Sequence, residues 1–232
     1  MTPLPAGDAK SALVREMFER IAPRYDRLNR LVSLGLDQRW RRAALEAIGV
    51  GPGDRVVDLA CGTGDLAELA QRRGARVVAL DRAREMLRSA KRRRVAGLVR
   101  SDVEQLPLRD GCASAATCGF ALRNFTDPAA VLRECARVLR AGGRLALVEV
   151  GVPTGALARA GHRVWFERVV PLLGGLLSDR EAYRYLPRSV VYLPREAELR
   201  ELLESVGFAG VRRVPFLFGA VQLYTAVRTS AP

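Results

Sequence analysis

The chain has 232 residues, enough for one core of ordinary size, and its 49% hydrophobic and 27% charged content is that of a globular protein, not a disordered or fibrous one. No opening stretch joins a basic start to an apolar segment, and no apolar run reaches the roughly 20 residues that cross a bilayer. These features predict a single soluble domain over 1–232, located in the cytoplasm.

In chain order, the first ten residues are rich in Pro, Gly and Ala and are expected to fray. From Ser11 the apolar residues Leu13, Val14, Met17, Phe18 and Ile21 recur at helical spacing and stop before Pro23. A second amphipathic stretch over 25–48 carries Leu28, Leu31, Val32, Leu34, Leu36, Trp40 and Leu45 and breaks near Gly35. The helices within 1–50 precede every strand and are expected to cap whatever the strand ends bind. After the Gly51-Pro-Gly-Asp54 turn, β-like runs at 55–60, 76–81, 97–101, 113–118 and 144–150 alternate with helical segments at 64–73, 84–93 and 128–139. Arg140-Ala-Gly-Gly-Arg144 reads as a helix stop. Such alternation predicts a parallel sheet covered on both faces, with the ligand beyond the carboxyl ends of its strands, so 51–150 is the binding core. Residues 151–193 break the rhythm: Trp165, Phe166, Val169, Val170, Pro171, Leu172, Leu173, Leu176 and Leu177 are followed by Tyr183 and Tyr185. This insertion either walls an apolar pocket or completes the core with a helix. Within 194–232, a helix at 195–206 and β-like runs at 211–218 and 221–228 close the sheet with an antiparallel pair.

The chemistry concentrates at 56–67, Val-Val-Asp-Leu-Ala-Cys-Gly-Thr-Gly-Asp-Leu-Ala, where an apolar strand enters a glycine turn and then a helix, with Asp81 ending the next strand. Gly62 and Gly64 allow close approach of the backbone to a ligand, and Asp81 is placed to accept hydrogen bonds from ribose hydroxyls. Gly62-x-Gly64-x-x-Ala67 also fits a dinucleotide fingerprint, and the pattern alone does not choose between the two. The charges do: Asp58 and Asp65 flank the loop and would repel a pyrophosphate at the helix N-terminus, whereas a sulfonium and an ammonium suit them. S-adenosyl-L-methionine is therefore the expected cofactor. Cys61, Cys112, Cys118 and Cys135 lack Cys-x-x-Cys spacing, and His162 is the only imidazole, so buried thiols are expected and neither disulfides nor a metal. His162 itself reads as a surface or structural residue.

The net charge of +13 is uneven: residues 72–100 hold eleven basic residues against Asp81 and Glu85. Three readings compete for this stretch. It is a solvated face of an arginine-biased chain, which has only Lys10 and Lys91 beside 36 arginines; it is drawn to anionic lipid; or it meets nucleic acid. The stretch has no Phe, Tyr or Trp on which bases could stack, so no nucleic-acid partner is expected.

Met17-Phe-Glu-Arg-Ile-Ala-Pro-Arg-Tyr-Asp26 with Leu28-Asn29, the loop at 58–65, Gly119-Phe-Ala-Leu-Arg-Asn124 and Tyr183-Arg-Tyr-Leu-Pro-Arg-Ser189 together resemble the ubiquinone/menaquinone-biosynthesis C-methyltransferases. The resemblance covers nearly the whole chain. It implies an α/β class I methyltransferase Rossmann-like fold whose seven-stranded, mostly parallel sheet ends on an antiparallel strand. It also implies that the acceptor is a lipophilic prenylated benzoquinol or naphthoquinol; an acceptor among other small aromatic or terpenoid metabolites would keep the same donor site.

Carried onto matching positions, the resemblance assigns Thr63 to the donor loop, Asp81 to the ribose, and Asp102 and Val103 to the adenine, with Gly119 where some relatives have Ser. A backbone contact is then all that Gly119 can offer. The same resemblance makes Arg123 and Asn124 the catalytic pair. Arg123 would stabilise the ring oxyanion and hold a water oriented by Asn124, because arginine is no base at neutral pH. Without the resemblance, Arg123 would read as a surface ion pair with Asp127. Tyr25 and Asn29 would orient the ring hydroxyls, and Tyr185 and Ser189 face the same choice between site and packing. An exposed apolar insertion would favour a homodimer or a peripheral contact with the inner face of the membrane.

Overall fold

The computed structural model describes residues 6–170, 172, 182, 185 and 188–229. Its centre is a seven-stranded sheet built from β1 (Arg55–Leu59), β2 (Arg76–Asp81), β3 (Leu98–Arg100), β4 (Ala113–Gly119), β5 (Leu139–Val150), β6 (Phe208–Phe216) and β7 (Val221–Arg228). The strand order is β3-β2-β1-β4-β5-β7-β6. β7 runs antiparallel to both β5 and β6, and all other neighbours are parallel. The chain steps outward from β1 to β3 and then returns to start β4 on the other side of β1. The carboxyl ends of β1 and β4 therefore border the crevice where such sheets take ligands.

The helices α1 (Gly7–Ile21), α2 (Tyr25–Val32), α3 (Leu36–Ala47), α4 (Asp65–Arg72), α5 (Arg84–Arg92), α6 (Pro128–Val138), α7 (Ala156–Val164) and α8 (Glu196–Ser205) are sorted by their apolar stripes. Trp40, Ala44 and Leu45 of α3 pack with Leu66, Ala67 and Ala70 of α4 and Ala90 of α5 on one face of the sheet. Val131, Leu132 and Cys135 of α6 share the other face with Leu199 and Leu203 of α8. A third cluster joins Met17 and Ile21 of α1, Leu28 of α2 and Met86 of α5 to Val170, Ala182 and Tyr185 of the insertion. The cap is thus α1 and α2, with the insertion behind it. α3, expected in the cap, flanks the sheet because its aromatic and small residues interleave with α4.

Local chemistry explains the element ends. Asp127 caps α6 by accepting from the Ala130 amide at 3.0 Å, and Pro128 starts that helix at the position where a missing N–H costs nothing. Residues 140–143 form a bulge between the pairings Ala113–Leu139 and Ala115–Arg144. The strand expected at 144 thus begins at Leu139, and Gly142, with φ of +72°, turns the bulge. β6 ends at Phe216, earlier than the expected 218, and residues 217–219 form a 3₁₀ turn.

Val170 is buried in the cap core, while Trp165 and Phe166 face a cavity, so the insertion serves both roles the sequence left open. Pro171, Leu173, Leu176, Leu177 and Tyr183 lie outside the described residues. Among the described residues, no helix is long and apolar enough to cross a membrane. Cys118 and Cys135 are buried thiols, burial lifting Cys135 to about 12, whereas Cys61 and Cys112 are only half-buried.

Candidate active site

The donor loop is built as its glycines predict. Gly62 and Gly64 have φ of +57° and +86°, and a Cβ on Gly64 would stand 2.7 Å from Val95 Cγ2, so neither the turn nor the packing admits a side chain there. Asp81, at the end of β2, accepts from the Gly62 amide through Oδ2 and from the Ala83 amide through Oδ1, both at 2.8 Å. It therefore holds the loop against the start of α5. Glu19 of the cap accepts from the Arg84 and Glu85 amides, each at 2.8 Å, and pins α1 to the same helix N-terminus.

Asp58 is fully buried at the end of β1. Its Oδ1 accepts from Thr117 Oγ1 at 2.7 Å, and its Oδ2 has no partner. Burial pushes its carboxyl up to about 7, against the opposing pulls of the Thr117 hydroxyl and Arg41. Burial likewise raises Asp81, opposed by the Ala83 and Gly62 amides. Two carboxyls that burial keeps costly to ionise, one with an orphaned oxygen, fit a cationic ligand that would supply the missing charge. That is the charge type of S-adenosylmethionine.

Asp65 does not contribute to this fit. It was expected to face the ligand; instead its carboxylate is bound by Arg93 at 2.6 Å, Arg30 at 3.2 Å and Arg41 at 3.6 Å. Burial would raise its pKa, but the three guanidiniums outweigh burial and hold it below the usual carboxylate range. The charge argument against a pyrophosphate thus rests on Asp58 and Asp81. Thr63 lies in the donor loop as assigned, beside Asp58 and Gly62, and its hydroxyl donates to Asp26 of α2, while Arg93 bridges Asp26, Asp65 and Glu68. The loop side chains thus tie the cap down, leaving the loop backbone free to face a ligand.

Asp102 and Val103 follow β3 and line one cavity with Asp81, Gly62, Ala60 and Gly119. Asp102 Oδ1 accepts from the Glu104 amide at 3.0 Å, and Oδ2 pairs with Arg82 at 3.3 Å; Val103 is buried. At Gly119 a Cβ would meet Leu66 Cδ1 at 2.9 Å, so Leu66 occupies the space a serine would need.

Leu122–Asn124 form a 3₁₀ turn after β4. Arg123, 4% exposed, pairs with the equally buried Glu149 and donates through Nη1 to the Phe120 carbonyl at 2.8 Å and through Nε to Ser189 Oγ at 3.1 Å. Its partner is Glu149, not Asp127. The Nη2 amine keeps no partner among the described residues. Glu149 stands at the ligand-side end of β5 as strand position predicts, but its pairing with Arg123 has no local sequence signal. Asn124 Oδ1 accepts from Tyr185 Oη at 3.3 Å, and its Nδ2 is buried without a partner.

The two neighbours face different spaces. Asn124 lines the donor cavity, and Arg123 lines a second cavity of about 780 Å³ between the cap, α7 and the β6–β7 turn. Tyr25 and Phe120 border both. Burial raises the Tyr25 hydroxyl, opposed by Arg41 and by the Asn29 side chain, and its ring meets Phe18 edge-on at 5.9 Å. Asn29 and His162 line the larger cavity. His162, expected at the surface or in a structural role, stacks on Phe166 at 4.4 Å with its Nε2 buried and unpartnered, and burial lowers its pKa.

The model of the ubiE/COQ5 methyltransferase family matches residues 6–228. The ubiquinone/menaquinone biosynthesis C-methyltransferase UbiE of Syntrophotalea carbinolica is 40% identical, covering 93% of this chain and 94% of its own. The demethylmenaquinone methyltransferase of Thermus thermophilus is 43% identical, covering 91% of this chain and all of its own. Among solved structures, an S-adenosylmethionine-dependent methyltransferase from Aquifex aeolicus aligns with a TM-score of 0.61 at 18% identity, covering 88% of this chain and 98% of its own. The sheet order, the glycine loop and these relationships agree: the chain belongs to the ubiE/COQ5 methyltransferase family, and its methyl donor is S-adenosylmethionine.

Proposed function

We propose that this protein methylates a ring carbon of a prenylated quinol in menaquinone or ubiquinone biosynthesis. The observation that carries this reading is the junction at Tyr25 and Phe120, where the donor cavity, edged by Asp81 and Asp102, opens beside a much larger apolar one. An acceptor with a polar ring and a long hydrocarbon tail fits that pair of spaces.

S-adenosylmethionine, when bound, supplies an electrophilic methyl group on a sulfonium. The Gly62 and Gly64 backbone, Asp58 and Asp81 would hold it, with Asp102 and the Val103 backbone at the adenine. Ring carbon is a poor nucleophile until a neighbouring hydroxyl loses its proton. Arg123 is suited to promote that loss: Glu149, Ser189 and the Phe120 carbonyl fix the guanidinium and leave Nη2 to meet the developing oxyanion. A water held at Nη2 carries the proton towards solvent. Tyr25, kept protonated by burial, donates to the second ring oxygen, with Asn29 orienting it. Asn124, on the donor side, fixes the floor of the junction through Tyr185. Because its acceptor dissolves in a bilayer, the enzyme works in peripheral contact with a membrane.

The test is transfer of a labelled methyl group to short-chain demethylated benzoquinols and naphthoquinols. Label on ring carbon is expected; label on oxygen, or on none of these acceptors, overturns the reading.

A further inference from the structure

Five of the six non-glycine residues with positive φ among the described residues border the two cavities. Ala60 and Phe120 stand at the donor crevice. The other three are Leu34, Leu217 and Phe218, with φ of +53°, +47° and +56°. Each sits at a chain turn and each projects a large apolar side chain into solvent, Leu34 being 72% and Phe218 78% exposed. Leu157, at the start of α7, is 89% exposed. All four line the larger cavity, so they stand at its mouth. Left-handed backbone at a non-glycine costs about 1–3 kcal/mol per residue, and an exposed apolar ring costs solubility. Two separate segments bearing both costs, with exposed Leu157 beside them at the same opening, imply a surface that is covered when the protein works.

The turns are braced rather than loose. The Phe218 carbonyl accepts from the Thr154 amide at 2.8 Å and from its hydroxyl at 3.2 Å, and the Gly151 amide donates to the Ala220 carbonyl at 2.8 Å. The β6–β7 turn and the segment leading into α7 therefore move as one. The charge around them is of one sign. No carboxylate occurs between Glu149 and Glu167 or after Glu204. Arg159 and Arg163 lie one helical turn apart on α7, are exposed, and have no ion-pair partner among the described residues. In the stretch 72–100, by contrast, five of the eleven basic residues, Arg72, Arg73, Arg82, Arg88 and Arg93, are in ion pairs, and no comparable exposed apolar cluster accompanies it.

We propose that Leu34, Leu157, Leu217 and Phe218, flanked by Arg159 and Arg163, form a docking surface for an anionic lipid bilayer. The apolar turns enter the acyl boundary, the arginines meet the headgroup phosphates, and the cavity mouth faces the membrane interior. This deepens the quinol reading and rests on it for the identity of what passes through the mouth.

The test is co-sedimentation of the full chain with phosphatidylglycerol and with phosphatidylcholine vesicles. Wild type is expected to bind the former at least ten-fold more tightly. The Leu34→Ser/Leu157→Ser/Phe218→Ser variant should lose ten-fold or more of that binding while keeping its thermal midpoint and its calorimetric affinity for S-adenosylmethionine. Arg159→Gln/Arg163→Gln should lose about five-fold or more, become insensitive to vesicle charge, and retain turnover of a short-chain quinol in detergent-free buffer. Vesicle binding that is absent in wild type, or unchanged in both variants, overturns the proposal. So does a dimer in sedimentation that the triple variant abolishes, since a second copy would then be what covers the ring. Absence of methyl transfer to every quinol overturns the catalytic reading alone, because the vesicle measurement does not depend on it.

Discussion

The donor crevice and the acceptor cavity meet at one tyrosine, yet they are built in opposite ways. The floor of the crevice is assembled from strand ends and backbone, with side chains of α1 over it: Asp58 and Asp81 close neighbouring strands, and Asp81 holds the loop between them by accepting from main-chain amides. The cavity is assembled from side chains of segments far apart in sequence, the cap, α7 and the β6–β7 turn. A floor fixed by backbone hydrogen bonds is specific for one ligand shape, whereas a large cavity of apolar side chains tolerates many. The contrast fits a universal donor and an acceptor whose tail needs only an oily surface.

The sharpest way to break that division is at Arg123, which belongs to the acceptor side. Arg123→Ala is expected to lower kcat by about 10²–10³ while leaving donor affinity unchanged, the loss usual for removing a donor to a developing oxyanion. It also strands the buried Glu149 carboxylate, at a cost of about 3–5 kcal/mol. Pairing it with Glu149→Gln should recover the stability seen in thermal melts and none of the turnover. A loss of donor affinity equal to the loss of turnover would merge the two regions.

Asp81→Ala tests the donor side. Calorimetry should show S-adenosylmethionine bound roughly ten- to a hundred-fold more weakly, matching the ~1.5–3 kcal/mol of a hydrogen bond to a charged group. An unchanged affinity in a folded protein would remove Asp81 from the ribose.

Asp58 separates the regions by pH. Its folded carboxyl, at about 7, lies above the unfolded value near 4. Its contribution to stability is therefore complete below about pH 4 and is lost as pH rises through 7. Binding a cation runs the other way, because it requires the ionised form. Donor affinity should rise by up to ten-fold per pH unit towards 7 and level off above it. Asp58→Asn should make the profile flat, and a wild-type profile that is already flat would separate Asp58 from the donor's charge.

His162 asks whether the acceptor walls are inert. As a wall, His162→Phe should change kcat less than about three-fold in a radiolabel assay, since stacking on Phe166 can be kept. A hundred-fold loss would make its unpartnered Nε2 the proton acceptor.

The difference between the regions also explains what could be read from sequence. The strand–helix alternation, Gly62, Gly64, Asp58 and Asp81 are contiguous or nearly so, and local spacing alone brings them together. Asp65 sits in the same motif but misled, because its partners Arg30, Arg41 and Arg93 come from α2, α3 and the residue after α5, whose docking no local pattern encodes, and the same holds for the Asp26 that takes the Thr63 hydroxyl. Asp26 and Glu19 lay within a segment whose resemblance was clear, yet their work is to fasten the cap. Glu149 could be placed at the ligand edge of the sheet by its strand end, but not as the partner of Arg123, and the strained turns at Leu34 and Phe218 had no signal of their own, since a leucine in a turn is ordinary in sequence.

The smallest effect concerns the one departure in the donor site. Gly119 stands where some relatives have serine, and a Cβ there would lie 2.9 Å from Leu66 Cδ1. Leu66 is itself buried between α4 and the sheet, so its methyl group can yield only slightly. Gly119→Ser should therefore cost about 1–2 kcal/mol of overpacking, a fall in thermal midpoint of a few degrees for a protein of this length. Donor affinity should fall with it, because the displaced leucine presses on the helix that opens from the glycine loop. Leu66→Val makes room by removing one methylene. The double variant should regain donor affinity, and with the added hydroxyl bind S-adenosylmethionine at least as tightly as the natural protein. If Gly119→Ser alone were neutral in both melts and calorimetry, the glycine would owe nothing to Leu66. The donor crevice would then share the tolerance of the acceptor cavity.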